Sequence, residues 1–235
     1  MSWSDRTELL IGKERLACLA NKHVLIVGVG GVGAYAAEML CRAGIGKLTI
    51  VDGDVVQPSN INRQLIALNS TLDKPKVEIL KQRLLDINPE LQIHSYFEYL
   101  QDERTLEVLQ AEPYDYVIDA IDTLSPKVYL IYHSQRCNLK LISSMGSGGK
   151  KDPSTILIAN LSDTYNCTLS KFVKKRLRRL QVSLDFPVVF STELVDRNAV
   201  VLIEEKNKKS MAGTISYMPA IFGCHLAAHV INSMC

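Results

Sequence analysis

One glycine-rich turn limits most of what this chain can fold into. His23–Val27 reads HVLIV and leads straight into VGVGGVG, where Gly28, Gly30 and Gly33 form G-x-G-x-x-G, with Gly31 between them. A strand entering such a turn and a helix leaving it, here Ala34–Arg42, set three demands. The turn must be tight, the backbone must approach a phosphate closely, and the helix must pack hard on the strand. The helix N-terminus then offers free N–H groups to an anion. Lys47–Val51 (KLTIV) supplies a second strand, and Asp52 stands at its end. That is about 20 residues beyond the turn, where an acid accepts ribose hydroxyls in dinucleotide sites. Strand, turn, helix and acid together predict nucleotide binding.

The alternation continues down the chain. A short amphipathic helix (Glu8–Ala20) precedes the first strand, and an irregular stretch (Pro58–Ser70) follows the second. Next come a helix (Lys76–Ile87) stopped by Asn88-Pro89, a strand (Leu91–Ser95), a helix (Asp102–Gln110), a strand (Tyr114–Asp119), a helix (Lys127–Cys137) and a strand (Leu139–Ser143). Strands alternating with helices of this length predict an α/β fold, a Rossmann-like, doubly wound and mostly parallel sheet. After Gly148-Gly149-Lys150 the pattern changes to a strand (Thr155–Ala159), a basic helix (Leu169–Leu180), a strand (Val188–Phe190), a charged turn (Glu204–Lys209) and an apolar terminal helix. Residues 1–150 are therefore assigned to the nucleotide-binding core and 151–235 to a C-terminal extension packed into the same domain.

With 235 residues, 47% of them hydrophobic, the chain can bury one sizeable core. A net charge of +2 leaves attraction to nucleic acid to a local patch. The six cysteines are scattered singly without a CxxC pair, which is neither zinc-site spacing nor a disulfide framework. The start MSWSDRTELLI has no apolar signal core, which points to the cytoplasm. Residues 211–235 carry no Asp, Glu, Lys or Arg, yet Pro219, His225, His229 and Asn232 interrupt them, so a buried helix is expected rather than a membrane span. Cys224, within it, reads as a small core residue.

The glycine fingerprint is shared with nicotinamide enzymes, so the chemistry must be sought elsewhere. Asn60, Arg63, Gln64 and Lys76 put two cations and two amides after the second strand. Extra cations suit a triphosphate whose leaving group gathers charge. Asp122, in DAIDT after the fourth strand, is a candidate Mg²⁺ ligand, because a carboxylate among phosphates needs a bridging cation.

RTELLIG, VGVGGVG, VDGDVVQPSNINRQ, KPKVEIL and DAID resemble the ubiquitin-activating superfamily of adenylating enzymes, which includes the thiamine and molybdopterin enzymes. The resemblance implies ATP with Mg²⁺: Gly30 and Gly33 in the phosphate loop, Asp52 on the ribose, Asp54 and Asn60 shaping the site, Arg63 and Lys76 on the phosphates and Asp122 on the metal. It implies a homodimer too, with Arg6 acting on the triphosphate across it. The stretch from SSMGSGGKKDPST to VVFSTE is similar to the tRNA threonylcarbamoyladenosine dehydratases in particular. That family activates a carboxylate on tRNA as an acyl-adenylate, and the modification's own carbamoyl group then closes a ring with loss of water.

Lys171, Lys174, Lys175 and Arg178 form one stripe of the basic helix, a candidate tRNA surface, with Lys150 and Lys151 adding charge nearby and Phe172, Val173 and Leu177 free to dock the helix. On charge alone a solvated helix face is the better reading; the resemblance favours tRNA. Three readings stay open beside this one: an enzyme adenylating a ubiquitin-like sulfur carrier, with sulfur-relay proteins as partners; a nicotinamide-dependent oxidoreductase; and a non-catalytic nucleotide-binding adaptor.

Overall fold

Strand β1 (His23–Val27) is buried at every residue, as a central parallel strand covered on both faces must be. In the computed structural model, which describes residues 2–205 and 208–235, it pairs in parallel with β2 (Lys47–Val51) on one side and β4 (Tyr116–Asp119) on the other. Beyond β2 lies β3 (Gln92–Tyr96); beyond β4 lie β5 (Leu141–Ser144), β7 (Pro187–Ser191) and β6 (Ile156–Asn160). The order is β3-β2-β1-β4-β5-β7-β6, parallel except for the edge strand β6, which runs against β7. The chain reverses its direction of travel across the sheet between β1 and β4. That switch point lies at the carboxyl ends of β1 and β4, the place where ligands bind in doubly wound sheets.

Helices cover both faces. α3 (Gly33–Ala43), α4 (Lys76–Ile87) and α8 (Tyr217–Met234) pack on one, around Ile26, Leu40, Leu80, Phe222 and Leu226. α5 (Asp102–Gln110), α6 (Leu124–Arg136) and α7 (Thr168–Arg179) pack on the other, around Leu25, Val108, Ile131, Val173 and Phe190. A hairpin of β8 (Val200–Glu205) and β9 (Lys208–Ala212) stands apart from the main sheet.

Several expectations shift. The first helix is two, α1 (Asp5–Ile11) and α2 (Lys13–Ala20), broken at Gly12. Leu19 is buried while Leu9 and Leu10, on α1, are 87% and 85% exposed. The irregular stretch contains two single turns of 3₁₀ helix, Pro58–Asn60 and Asn69–Thr71. The expected charged turn links β8 and β9, and its residues 206 and 207 lie outside the described residues. No helix among the described residues is long and apolar enough to cross a membrane.

The cysteines hold two corrections. Cys18 and Cys235 form a disulfide that ties the end of the chain to α2, across 217 residues of sequence. Cys224 is exposed, on the outer side of α8, because its neighbours Phe222, Gly223 and Leu226 take the inner face.

Candidate nucleotide-binding site

The geometry of the glycine turn follows from two collisions avoided. Gly28 has φ 88°, and a Cβ there would sit 2.8 Å from the Ala120 carbonyl oxygen at the end of β4. A Cβ on Gly33 would fall 1.8 Å from the Gly28 carbonyl oxygen, so the first turn of α3 can close on β1 only without a side chain. The turn is fixed from the β2 side by Asp52, whose Oδ2 accepts the Val29 N–H (2.8 Å) and whose Oδ1 accepts the Asp54 N–H (2.8 Å). Burial raises the Asp52 pKa, while Lys76 and those two N–H donors oppose the rise.

The segment after β2 folds back over the turn. The Gln64 amide nitrogen lies 3.5 Å from the position a Cβ on Gly30 would take, and Arg63 Cγ lies 3.6 Å from the same position on Gly31. Gln64 is buried, and its Oε1 has no hydrogen-bond partner among the described residues. A buried amide oxygen left without a donor is costly, and this one lies beside the glycine turn. Arg63 Nη1 donates to the Ser59 carbonyl and to Asn62 Oδ1, both at 2.8 Å. Asn60 is buried and caps its own turn, its Oδ1 accepting the Gln57 N–H.

Lys76 opens α4 and is buried, with its Nζ 2.6 Å from Asp54 Oδ2. The other oxygen of Asp54 accepts the Tyr99 hydroxyl (2.5 Å), a bond that, together with burial, pushes the Tyr99 pKa up to about 12. Tyr99 went unread in the sequence because it follows β3 in a loop without motif spacing. The structure thus gathers Gly28, Gly30, Gly31, Gly33, Asp52, Asp54, Asn60, Arg63, Gln64 and Lys76 around the glycine turn. Asp122 stands exposed two residues beyond Ala120, which lies against Gly28. Arg6 is exposed on α1, and no ion pair among the described residues ties it to the turn.

A buried network that sequence reading did not find supports the turn. Asp119, the last residue of β4, is fully buried; its Oδ2 accepts Lys127 Nζ and Ser143 Oγ, both at 2.6 Å, and its Oδ1 accepts the Ile121 N–H at 3.0 Å. Lys127 lies on the buried stripe of α6 with Leu130, Ile131 and Ser134. A lysine on such a stripe was the available signal.

The basic helix is partly as expected. Lys171, Lys175 and Arg178 are exposed, while Lys174 is half-buried and donates to the Thr164 carbonyl (2.7 Å). Val173 and Leu177 dock α7; Phe172 does not, being 47% exposed, since it lies one residue off their i, i+4 line. Lys150 adds no surface charge. It is buried, its Nζ donating to the carbonyls of Ser191 (2.6 Å), Glu193 (2.9 Å) and Asn166 (3.4 Å), and burial lowers its pKa.

A switch point with a glycine turn, two cations and an acid at the end of β2 defines a nucleotide-binding chain of the ThiF kind, and the chain belongs to the ThiF family, whose profile matches residues 5–235. It is similar to the tRNA threonylcarbamoyladenosine dehydratase of Bacillus subtilis (strain 168), at 37% identity over 98% of this chain and 93% of that protein. The Escherichia coli (strain K12) protein of the same name is 35% identical over 82% of this chain and 75% of its own length. Crystal structures of the E. coli enzyme in complex with AMP and with ATP superpose with a TM-score of 0.88 at 32% and 31% identity. Each comparison covers 98% of this chain and 92% of the other.

Proposed function

We propose that this chain is an ATP-dependent dehydratase of threonylcarbamoyladenosine in tRNA. The observation that carries the reading is the likeness, over nearly the whole chain, to an enzyme of that name with ATP and AMP bound. In this reading the carboxylate of the modified adenosine attacks the α-phosphorus of ATP, and pyrophosphate leaves. The carbamoyl group then attacks the acyl carbon of the adenylate, AMP leaves, and a five-membered ring has closed. The nucleoside has lost one water, whose oxygen ends in AMP. Activation is needed because a carboxylate oxygen leaves poorly.

The α3 N-terminus and Gly28–Gly33 hold the phosphates, with Asp52 near the ribose. Asp52 braces the turn at the same time, since both its oxygens accept backbone N–H groups. Gln64 Oε1 takes a donor from the ligand. Arg63 and Lys76 face the triphosphate, Lys76 held in place by Asp54, and withdraw charge as pyrophosphate departs. A single carboxylate at the strand end, Asp122, fits Mg²⁺, which takes one or two carboxylates and completes its shell from phosphates and water. Such an ion would offset the negative charge that gathers on pyrophosphate as it leaves.

The exposed Leu9 and Leu10 on α1 suit burial against a second copy, which would carry Arg6 towards the neighbouring triphosphate and make a cytoplasmic homodimer. Residues 1–150 supply adenylation and the α1 dimer contact, and 151–235 the tRNA surface and further dimer contacts, the stripe of Lys171, Lys174, Lys175 and Arg178 tracking phosphates.

The test is incubation with ATP, Mg²⁺ and modified tRNA. AMP and a nucleoside lighter by one water are expected; NADH binding without ATP affinity overturns the proposal. Stimulation of ATP–pyrophosphate exchange by a ubiquitin-fold protein instead of tRNA redirects it to sulfur-carrier activation. Arg63→Ala and Lys76→Ala should each slow AMP formation by about 10²–10³-fold, as losing one transition-state donor does. Wild-type rates would remove those roles.

A further inference from the structure

A second concavity, of about 700 Å³, opens beyond the carboxyl end of β7. That volume lies inside the range of small-ligand pockets, roughly 300–1,000 Å³. Tyr165, Asn166, Lys171 and Lys174 line one wall, and Leu194 and Val195 line the other. The walls are braced from beneath. Lys150, buried, donates to Asn166 on one side and to Ser191 and Glu193 on the other. The Asn166 side-chain amide adds a bond to the Thr192 carbonyl at 2.8 Å. A buried ammonium spent on holding two chain segments together gives a preformed site, not an accidental groove.

Its chemistry is specific. Tyr165 is 55% exposed, yet its ring packs against buried Phe190 in a T-shaped contact, with centroids 5.7 Å apart and planes at 74°. An exposed aromatic ring braced from one side, beside the exposed side chain of Lys171, matches an unstacked base with its phosphate. Both ligand regions lie on one edge of the sheet, because β7 is parallel to β5, β4 and β1. Three strand spacings separate β7 from β1, about 14 Å. The threonylcarbamoyl substituent, a carbonyl joined to one amino-acid residue, reaches at most about two residue lengths, roughly 7 Å. A base seated in this pocket therefore cannot deliver its own carboxylate to the glycine turn.

Resting on the dehydratase reading, we propose that this pocket binds a base flanking the modified adenosine, stacked on Tyr165 with its phosphate on Lys171. It splays the RNA so that the next nucleotide reaches ATP.

The test uses full-length protein, modified tRNA and a single-stranded RNA with 2-aminopurine on either side of the target adenosine. Tyr165→Ala should raise the KM for tRNA about 5- to 150-fold, the usual worth of one base–aromatic stack, with kcat and melting temperature kept. Tyr165→Phe should restore it. Quenching of 2-aminopurine on binding should occur at one flanking position and vanish in Tyr165→Ala. If that variant melts early, Lys171→Glu, on an exposed side chain, decides instead: KM must rise and its salt dependence flatten. Unchanged KM and quenching in a folded variant overturn the pocket. Tyr165-dependent quenching without any dehydration sinks the dehydratase reading and leaves the pocket standing; dehydration that ignores Tyr165 and Lys171 does the reverse.

Discussion

Lys127→Met should destabilise this protein far more than an ordinary helix substitution. Its ammonium is fully buried, 2.6 Å from an equally buried Asp119 carboxylate. Methionine fills most of the space but leaves Asp119 with only Ser143 Oγ and the Ile121 N–H. Removing one partner of a buried pair costs about 3–5 kcal/mol because the survivor stays uncompensated. That is a large part of a total stability of roughly 5–15 kcal/mol. At about 2–4 °C per kcal/mol for a chain of this size, the melting temperature should fall by roughly 6–20 °C. The Ile121 bond also holds the turn under Gly28, so ATP affinity should weaken as well. Scanning calorimetry gives the first quantity and titration with ATP the second. Adding Asp119→Asn to Lys127→Met removes the stranded charge and should recover part of the loss. A single variant that melts with the wild type, or a double variant less stable than the single, would refute the ion-pair argument.

Gly33→Ala should abolish ATP binding, measured by titration, because its Cβ would meet the Gly28 carbonyl at 1.8 Å; binding within a few-fold of wild type would mean that the turn relaxes freely. Burial, then Lys47, pushes the His23 pKa down to about 4 from 6.5, so the folded ring is neutral while the unfolded chain protonates first. Stability from this group is complete above pH 6.5 and declines by about 3 kcal/mol towards pH 4; His23→Gln, which can still pair with Thr49, should flatten that part of a melting-temperature profile. Reducing Cys18–Cys235, which closes 217 residues, should lower stability by up to about 5 kcal/mol on chain entropy. Equal melting of wild type and Cys235→Ser without reductant would show that the bridge adds nothing.

What could be read in advance was what depends on local pattern. The glycine turn, Asp52 and Lys76 meet because each follows a strand or opens a helix and parallel strands deliver such residues to a common edge, and the irregular segment after β2 folds Arg63 and Gln64 back onto that turn. What could not be read depends on partners distant in sequence. Lys150 looks like an ordinary surface lysine until the carbonyls of Ser191 and Glu193 appear beside it, and the place of Lys127 on an apolar stripe signals burial without naming Asp119 as its partner. Cys18 and Cys235 sit at opposite ends of the chain, so spacing carries no sign of their bond. Phe172 shows the converse error: it is apolar, but helical phase assigns the buried positions to Ser170, Val173 and Leu177.

The last third of the chain does more than extend a generic nucleotide core. β7 enters the sheet beside β5 and carries Ser191 and Glu193 to the edge that holds the glycine turn. α8 returns to the turn itself, with Pro219 Cβ 3.1 Å from where a Cβ on Gly31 would lie. A Cβ at position 31 would therefore press on Pro219, and a branched side chain there must push α8 aside. Gly31→Val should then loosen the terminal helix, seen as faster amide exchange over residues 217–234, in step with lost ATP affinity. If affinity falls while exchange in α8 stays slow, helix and turn are merely neighbours, and the C-terminal segment does not shape the nucleotide site.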